Sequence, residues 1–273
     1  MTDGKVLTIQ DISCYGQCSL TVALPIISAC GVETAILPSA VLSTHTGGFQ
    51  GFTFADLTEE LPKIAEHWQK EGIAYECIYT GYLGSLRQID IVKDLFRTVL
   101  RPEGLKVVDP AMADHGRLYT GFDTAFAKAM AGLCGEADII LPNITEACFM
   151  TDAEYREIHD EAYIAMLSGK LRDLGVKHFV LKGIDFGDGR IGISVDGQMY
   201  AREKIEKSKH GTGDCFAAAF VGGVMQGKTL FAAARLATDF VVECLKVTDQ
   251  DEQHWYGVKF ERVLPMLTEE LNG

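Results

Sequence analysis

Lys5-Val6-Leu7-Thr8-Ile9-Gln10 is a short apolar run that ends in Asp11; a polar turn follows, then a helical pattern over 17–30 that stops at Gly31, then a second apolar run over 32–37. Strand, turn, helix, glycine, strand is the unit of a parallel sheet, because parallel neighbours need a crossover and a helix supplies it. A chain that opens this way points to an α/β fold with helices laid over a mostly parallel sheet. Ligands of such sheets gather at the carboxyl ends of the strands. Asp11 is therefore either a site residue or a cap on the helix after it.

The pattern continues. Residues 40–52 pass from β-like sequence into Ser43-Thr44-His45-Thr46-Gly47-Gly48-Phe49, a composition that suits a flap over a pocket or a plain surface hairpin. A helix is expected over 54–72 with Leu57, Leu61, Ile64 and Trp68 on one face. Strands are expected at 75–80, 105–110, 137–141 and 178–183, and helices at 86–100, 123–134 and 161–174. An antiparallel pair at 191–195 and 198–202 is joined by Asp196-Gly197, the sequence of a two-residue type I′ turn. Helices follow to about 226, over 230–246 and around 260–267. With no internal repeat or linker, 1–273 reads as one domain with a small flap.

Tyr82, Asp109 and Asn143-x-x-Glu146 all fall just past strand ends. Tyr82 lies between Gly81 and Gly84, which open space around a ring that would otherwise be expected in the core. Asn143 and Glu146 sit one turn apart at a helix start, either as an ordinary capping arrangement or as a pair that orients waters on Mg²⁺. Lys182, at a strand end before Gly183, is either a solvated lysine or a point charge for a phosphate.

Lys209-His210-Gly211-Thr212-Gly213-Asp214 opens directly into the apolar run Ala217-Ala218-Ala219-Phe220-Val221. Glycines at a helix start leave backbone N–H groups free to converge on one spot, where the helix dipole adds positive potential. An acid at such an anion site is out of place if phosphate is only held. It fits if the carboxylate takes a proton from a hydroxyl that attacks the phosphate. Asp214 thus reads as a general base and the amides of Gly211, Thr212 and Gly213 as a phosphoryl cradle; the plain alternative is a glycine turn with Asp214 as a cap. No Walker A sequence is present.

A formal net charge of −13 argues against nucleic acid or an anionic membrane as partner. No apolar run is long enough to span a bilayer, and the start Met1-Thr2-Asp3 lacks the build of a signal peptide, so a cytoplasmic protein is expected. Its eight cysteines include no CxxC pair and are expected as reduced, mostly buried thiols. His115, His159 and His254 have no second ligand at metal spacing and are expected in structural or surface roles.

These motifs, in this order, resemble the ribokinase-like superfamily and within it the pyridoxal kinases. The resemblance runs nearly end to end, through Ile9-Gln10, Ser43-Thr44-His45-Thr46-Gly47, Thr80-Gly81-Tyr82, Val108-Asp109-Pro110, Asn143-Ile144-Thr145-Glu146 and Gly211-Thr212-Gly213-Asp214. It implies a three-layer α/β/α sandwich and ATP-dependent phosphorylation of the 5′-hydroxymethyl group of pyridoxal, pyridoxine or pyridoxamine. On this resemblance Asp214 deprotonates the hydroxyl, and Gly211, Thr212 and Gly213 stabilise the group in transfer. Glu146 with Asn143 places Mg²⁺, Asp109 lies by the phosphates and a monovalent cation such as K⁺, Lys182 reaches ATP, and Tyr82, His45 and Thr46 line the vitamer. A homodimer is implied as well.

Two departures stand out. Asp11 replaces the serine usual in these kinases, which would favour a protonated ring and tilt the choice toward pyridoxamine. Gly51 stands where an aromatic often closes the ring pocket, leaving Phe49 or Phe52 to do so. The nearest rival keeps the fold and changes the acceptor to hydroxymethylpyrimidine, a sugar or a nucleoside; Cys14, Cys18, Ala40 and Leu42 near the expected pocket favour a flat heteroaromatic over a sugar. A non-catalytic vitamer binder is the other rival, and it would need no base at 214.

Overall fold

The computed structural model describes residues 4–205 and 209–272, so the reading of Met1-Thr2-Asp3 lies outside the described residues. The first crossover forms as the pattern requires, with β1 (Lys5–Ser13), α1 (Leu20–Ala29) and β2 (Glu33–Leu42) in parallel register from Lys5↔Glu33 onward. The register slips between Gln10 and Ile12, a bulge that twists the strand ends beside Asp11.

The expected helix over 54–72 splits. Residues 54–56 form β3 (Phe54–Asp56), antiparallel to β2, and α2 (Leu61–Lys70) starts only afterwards. The cause is local: Asp56 Oδ1 accepts from the Thr58 amide at 2.9 Å and the Thr58 hydroxyl at 2.5 Å, a turn that competes with helix.

β4 (Tyr75–Thr80), α3 (Leu86–Thr98) and β5 (Leu100–Val108) follow. Residues expected as loop around Asp114 and His115 form a small hairpin, β6 (Ala113–Asp114) with β7 (Arg117–Leu118). Then come α4 (Thr124–Cys134), β8 (Ile139–Ile140), α5 (Ile144–Thr151), α6 (Glu161–Asp173), β9 (His178–Asp185), β10 (Arg190–Val195) and β11 (Gln198–Glu203). The β10–β11 turn has Asp196 at φ 52° and Gly197 at φ 103°, the left-handed pair a type I′ turn needs. The chain closes with α7 (Thr212–Met225), α8 (Leu230–Asp249), a 3₁₀ turn over Phe260–Arg262 and α9 (Leu264–Asn272).

The main sheet is nine-stranded, in the order β11-β10-β9-β8-β5-β4-β1-β2-β3. Its interior is parallel and its outer strands β3, β10 and β11 are antiparallel. Alternate strand residues feed two cores. Leu7, Ile9, Ile78 and Val108 pack under α2 to α6, while Val6, Cys77, Tyr79 and Val107 pack under α1, α7 and α8. The result is three layers, with every interior strand's carboxyl end on one edge of the sheet.

Candidate active site

Along that edge the sheet order β1-β4-β5-β8-β9 sets the sequence-predicted residues in a row. Asp11 stands on β1, Tyr82 past β4, Asp109 past β5, Asn143 past β8 and Lys182 on β9, and Asn143 and Lys182 are bridged. Strand pairing brings together residues far apart in sequence, such as Asp109 and Lys182, 73 positions apart.

The anion cradle begins at Gly211, whose φ of 79° is left-handed and which caps α7 with no side-chain bond. The first helical amides have no intrahelical acceptor, so they point out into the cleft. Gly211 is also packed so closely that a Cβ there would run into the Gln17 carbonyl oxygen. Gly211→Ala is therefore expected to lower kcat/KM by about 10² to 10³, the scale of losing a preorganised donor, with near-UV circular dichroism unchanged. Activity within a factor of about three of wild type would show that this turn does not hold the phosphoryl group.

Asp214 follows in the first turn of α7, half-buried. Burial pushes its carboxyl up to about 7, with Asp109 and Asp11 adding to the rise and Lys182 opposing it. A base near 7 can both accept and release a proton at physiological pH.

At the other end, Lys182 Nζ donates to Asp109 Oδ2 at 2.8 Å, with the two side chains 12% and 6% exposed. Burial works against the Lys182 charge, but Asp109, Glu146 and Asp214 outweigh it and hold the ammonium firmly protonated. The solvated-surface reading of Lys182 is thereby excluded. Burial and then Asp109 push Glu146 up to about 8.

Asn143 and Glu146 form a complete capping box. Asn143 Oδ1 accepts from the Glu146 amide at 2.8 Å and Glu146 Oε2 from the Asn143 amide at 2.7 Å. The pair also anchors the β6–β7 hairpin, since Asn143 Nδ2 donates to the Ala113 carbonyl at 2.8 Å and Glu146 Oε1 accepts from the Met112 amide at 3.3 Å. Both ends of the Asn143 amide, expected against ATP, are thus engaged within the protein.

Ionised together, Asp109, Glu146 and Asp214 would outnumber the one ammonium of Lys182 and repel a polyphosphate, and a divalent cation would offset both that repulsion and the burial that favours their protonated forms. Among the described residues no three His, Cys, Asp or Glu side chains make a ready metal cage. Hard oxygen ligands without a cage fit Mg²⁺, which keeps waters and phosphates in its shell.

On the acceptor side, Asp11 is buried, and burial raises its pKa against hydrogen bonds from Ser19 and Ser13 and the nearby His45. It does not cap α1, whose N-cap is Ser19. Tyr82 is half-buried, its ring 5.5 Å from Phe122, and both burial and the Asp11 charge raise its hydroxyl pKa. Cys18, expected near the acceptor pocket, stands within the field of Asp214 and Asp11; burial and those charges keep it a thiol.

The flap residue His45 is buried, with Nδ1 accepting from the Gly47 amide at 3.1 Å and Nε2 facing the Tyr256 carbonyl at 2.9 Å. In the neutral ring, this pairing puts the proton on Nε2. The Tyr256 carbonyl also accepts from the Gln17 amide at 3.1 Å, so the last loop clasps both the flap and the turn after β1. Phe49 belongs to this clasp, 4.6 Å from the Trp255 ring and 5.0 Å from His45. Thr46 and Phe52 are exposed. No residue pattern announced Trp255 and Tyr256, because the contact joins segments about 210 residues apart.

A carboxyl raised by burial in the first turn of a helix that opens on a glycine is the arrangement that a phosphotransferase for a small hydroxyl compound needs. Residues 8–258 match the model of the phosphomethylpyrimidine kinase family, and the chain belongs to that family. It is 26% identical to a pyridoxine/pyridoxal/pyridoxamine kinase of Bordetella avium, over 89% of this chain and 85% of that one. Among solved structures it is similar to a putative phosphomethylpyrimidine kinase of Bacteroides thetaiotaomicron crystallised with pyridoxal, at 35% identity, TM-score 0.91 and coverage of 97% and 96%. The pyridoxal kinase of Lactobacillus plantarum overlays with 28% identity, TM-score 0.89 and 98% of each chain. These likenesses bear out the expected α/β sandwich and place the chain among kinases of the pyridoxal type.

Proposed function

We propose that this protein transfers the γ-phosphoryl group of ATP to the 5′-hydroxymethyl group of a vitamin B6 vitamer. The observation that carries the reading is Asp214, a carboxyl held near 7 at the amide-lined start of α7, on the strand-end edge that also bears Asp11 and Tyr82. The vitamer ring would lie between Asp11, Tyr82 and the flap, with its hydroxymethyl arm toward Asp214. Asp214 takes the hydroxyl proton as the oxygen attacks phosphorus, and the amides at Gly211, Thr212 and Gly213 receive the charge on the transferring group. Lys182 offers its ammonium to the phosphates while staying paired with Asp109. Glu146, with Asp109, would hold Mg²⁺ on the nucleotide, and that ion would neutralise phosphate charge in transfer.

The test is ADP release with pyridoxal, pyridoxine, pyridoxamine and hydroxymethylpyrimidine, with Asp214→Asn as control. Turnover on the pyrimidine alone would move the protein to the rival acceptor that its family's description keeps in view. Turnover no better than the control on every compound would leave only a binding role. Within this reading, the Asp11 carboxylate favours a protonated ligand. Asp11→Ser is therefore expected to lower the pyridoxamine-to-pyridoxal ratio of kcat/KM by about tenfold, the worth of one nearby opposite charge; an unchanged ratio removes the idea.

The homodimer and the cytoplasmic setting belong to the same proposal. All eight cysteines are free in the structure, which suits a reducing compartment. No described helix is long and apolar enough to cross a membrane. Sedimentation at micromolar concentration tests the dimer.

A further inference from the structure

Ser85-Leu86-Arg87-Gln88 has the spacing of a capping box, in which the glutamine side chain reaches back to the amide of the capping serine. Only the serine half forms, with Ser85 Oγ accepting from the Gln88 amide at 3.3 Å at the start of α3. Gln88, 1% exposed, sends its side chain elsewhere. Its Oε1 accepts from the Gly84 amide at 2.7 Å. Its Nε2 donates to the Ser39 carbonyl at 3.1 Å and the Thr58 hydroxyl at 2.9 Å, with Asp56 Oδ1 at 3.4 Å.

A cap needs only an acceptor, and glutamate would supply one with a charge that suits a helix start. The glutamine amide supplies a donor as well, and the donor's partners belong to another part of the protein. Ser39 lies on β2 and Asp56 on β3, and the flap over 43–53 is the segment strung between these two strands. The Leu57 amide reaches the same Ser39 carbonyl at 3.1 Å, so Gln88 binds the two roots of the flap where they already meet. Gly84 belongs instead to the turn after β4, and β1 separates β4 from β2 and β3 in the sheet. The strand ladder therefore leaves that turn and the flap roots unjoined, and the Gln88 side chain joins them.

The turn after β4 carries Tyr82. A Cβ at Gly84 would stand 3.7 Å from both the Tyr82 ring and Gln88 Oε1, so the ring rests on the residue whose amide Gln88 holds. Ser39 Oγ adds a longer tie of 3.4 Å to the Tyr82 carbonyl.

We propose that Gln88 is the positioning residue for Tyr82: its one amide group locks the ring-bearing turn to the roots of the flap and so sets where the ring stands in the vitamer site. This rests on the reading in which Tyr82 and the flap line the vitamer. Gln88 is buried and acts on the vitamer through that ring.

The experiment measures ADP release at varied vitamer and at varied ATP for wild type, Gln88→Met, Tyr82→Leu and the double variant. Methionine is close in length but has no amide, so the Gly84 N–H and the Ser39 carbonyl lose this partner and the turn is free to shift. The vitamer KM should rise by about tenfold in Gln88→Met, with the KM for ATP within about twofold of wild type. In Tyr82→Leu the ring to be placed is gone, so adding Gln88→Met should change the vitamer KM by less than about twofold. A general loss of stability would neither separate the two substrates nor vanish with the ring. An unchanged vitamer KM in Gln88→Met, an equal rise in the KM for ATP, or the same multiplication in both backgrounds overturns the positioning role, while wild-type turnover leaves the kinase reading intact. A wild type that turns over no vitamer fails that reading, and this role with it. Should Gln88→Met be recovered unfolded, Gln88→Asn is held to the same criteria, since its amide is one methylene too short to hold Gly84 and Ser39 together.

Discussion

Asp214→Asn is expected to lower kcat by about 10³-fold, within the range that a general base contributes, while the KM for ATP changes little. Asparagine matches the carboxylate in shape and keeps a hydrogen-bond acceptor, so the fold has no reason to fail. What disappears is the basic, ionisable carboxylate oxygen that accepts the hydroxyl proton. Wild-type kcat/KM should rise with pH through about 7, because the ionised share of Asp214 grows there. The variant should lose that limb. A variant that retains more than about a tenth of wild-type kcat, or that keeps the limb, would show that another group takes the proton.

Lys182→Met carries the second large effect. The methionine is close in volume but leaves Asp109 buried with no partner, and breaking a buried pair on one side costs about 3 to 5 kcal/mol. Asp109 is already pushed up by burial, and Lys182 is the charge that pulls it back. The expected outcome is a Tm lower by more than about 5 °C together with kcat/KM for ATP reduced by about 10²-fold, since one phosphate-facing charge has gone. An unchanged Tm would mean that Asp109 is solvated in solution, and an unchanged KM for ATP that Lys182 does not reach the nucleotide.

The fold was legible wherever apolar periodicity decided it. β4 runs over Tyr75–Thr80 as expected, and α3 starts at Leu86. It was illegible where a short side-chain bond overrode the period: Leu57 matched the helical face, yet the Asp56–Thr58 turn kept it out of α2. The β6–β7 hairpin was missed because its strands are two residues each.

The site divides in the same way. Chemistry-bearing residues at strand ends, such as Asp109 and Lys182, could be listed from spacing, but not the 2.8 Å bond that joins them across 73 positions. Asn143 and Glu146 were read both as a cap and as a cation pair, and the structure adds a third task, the anchoring of a hairpin by Met112 and Ala113. The positive φ of Ser19 carried no signal at all, because it is a property of the backbone.

The clasp formed by the Tyr256 carbonyl on His45 and Gln17 has a consequence for how the protein is made. The flap is latched by residues that follow every strand of the main sheet in the chain, so a nascent chain that has just completed β11 would already own its whole sheet yet hold an open, unlatched flap. Competence for phosphoryl transfer would thus come only after the sheet is complete, and shorter nascent chains would be spared from wasting nucleotide.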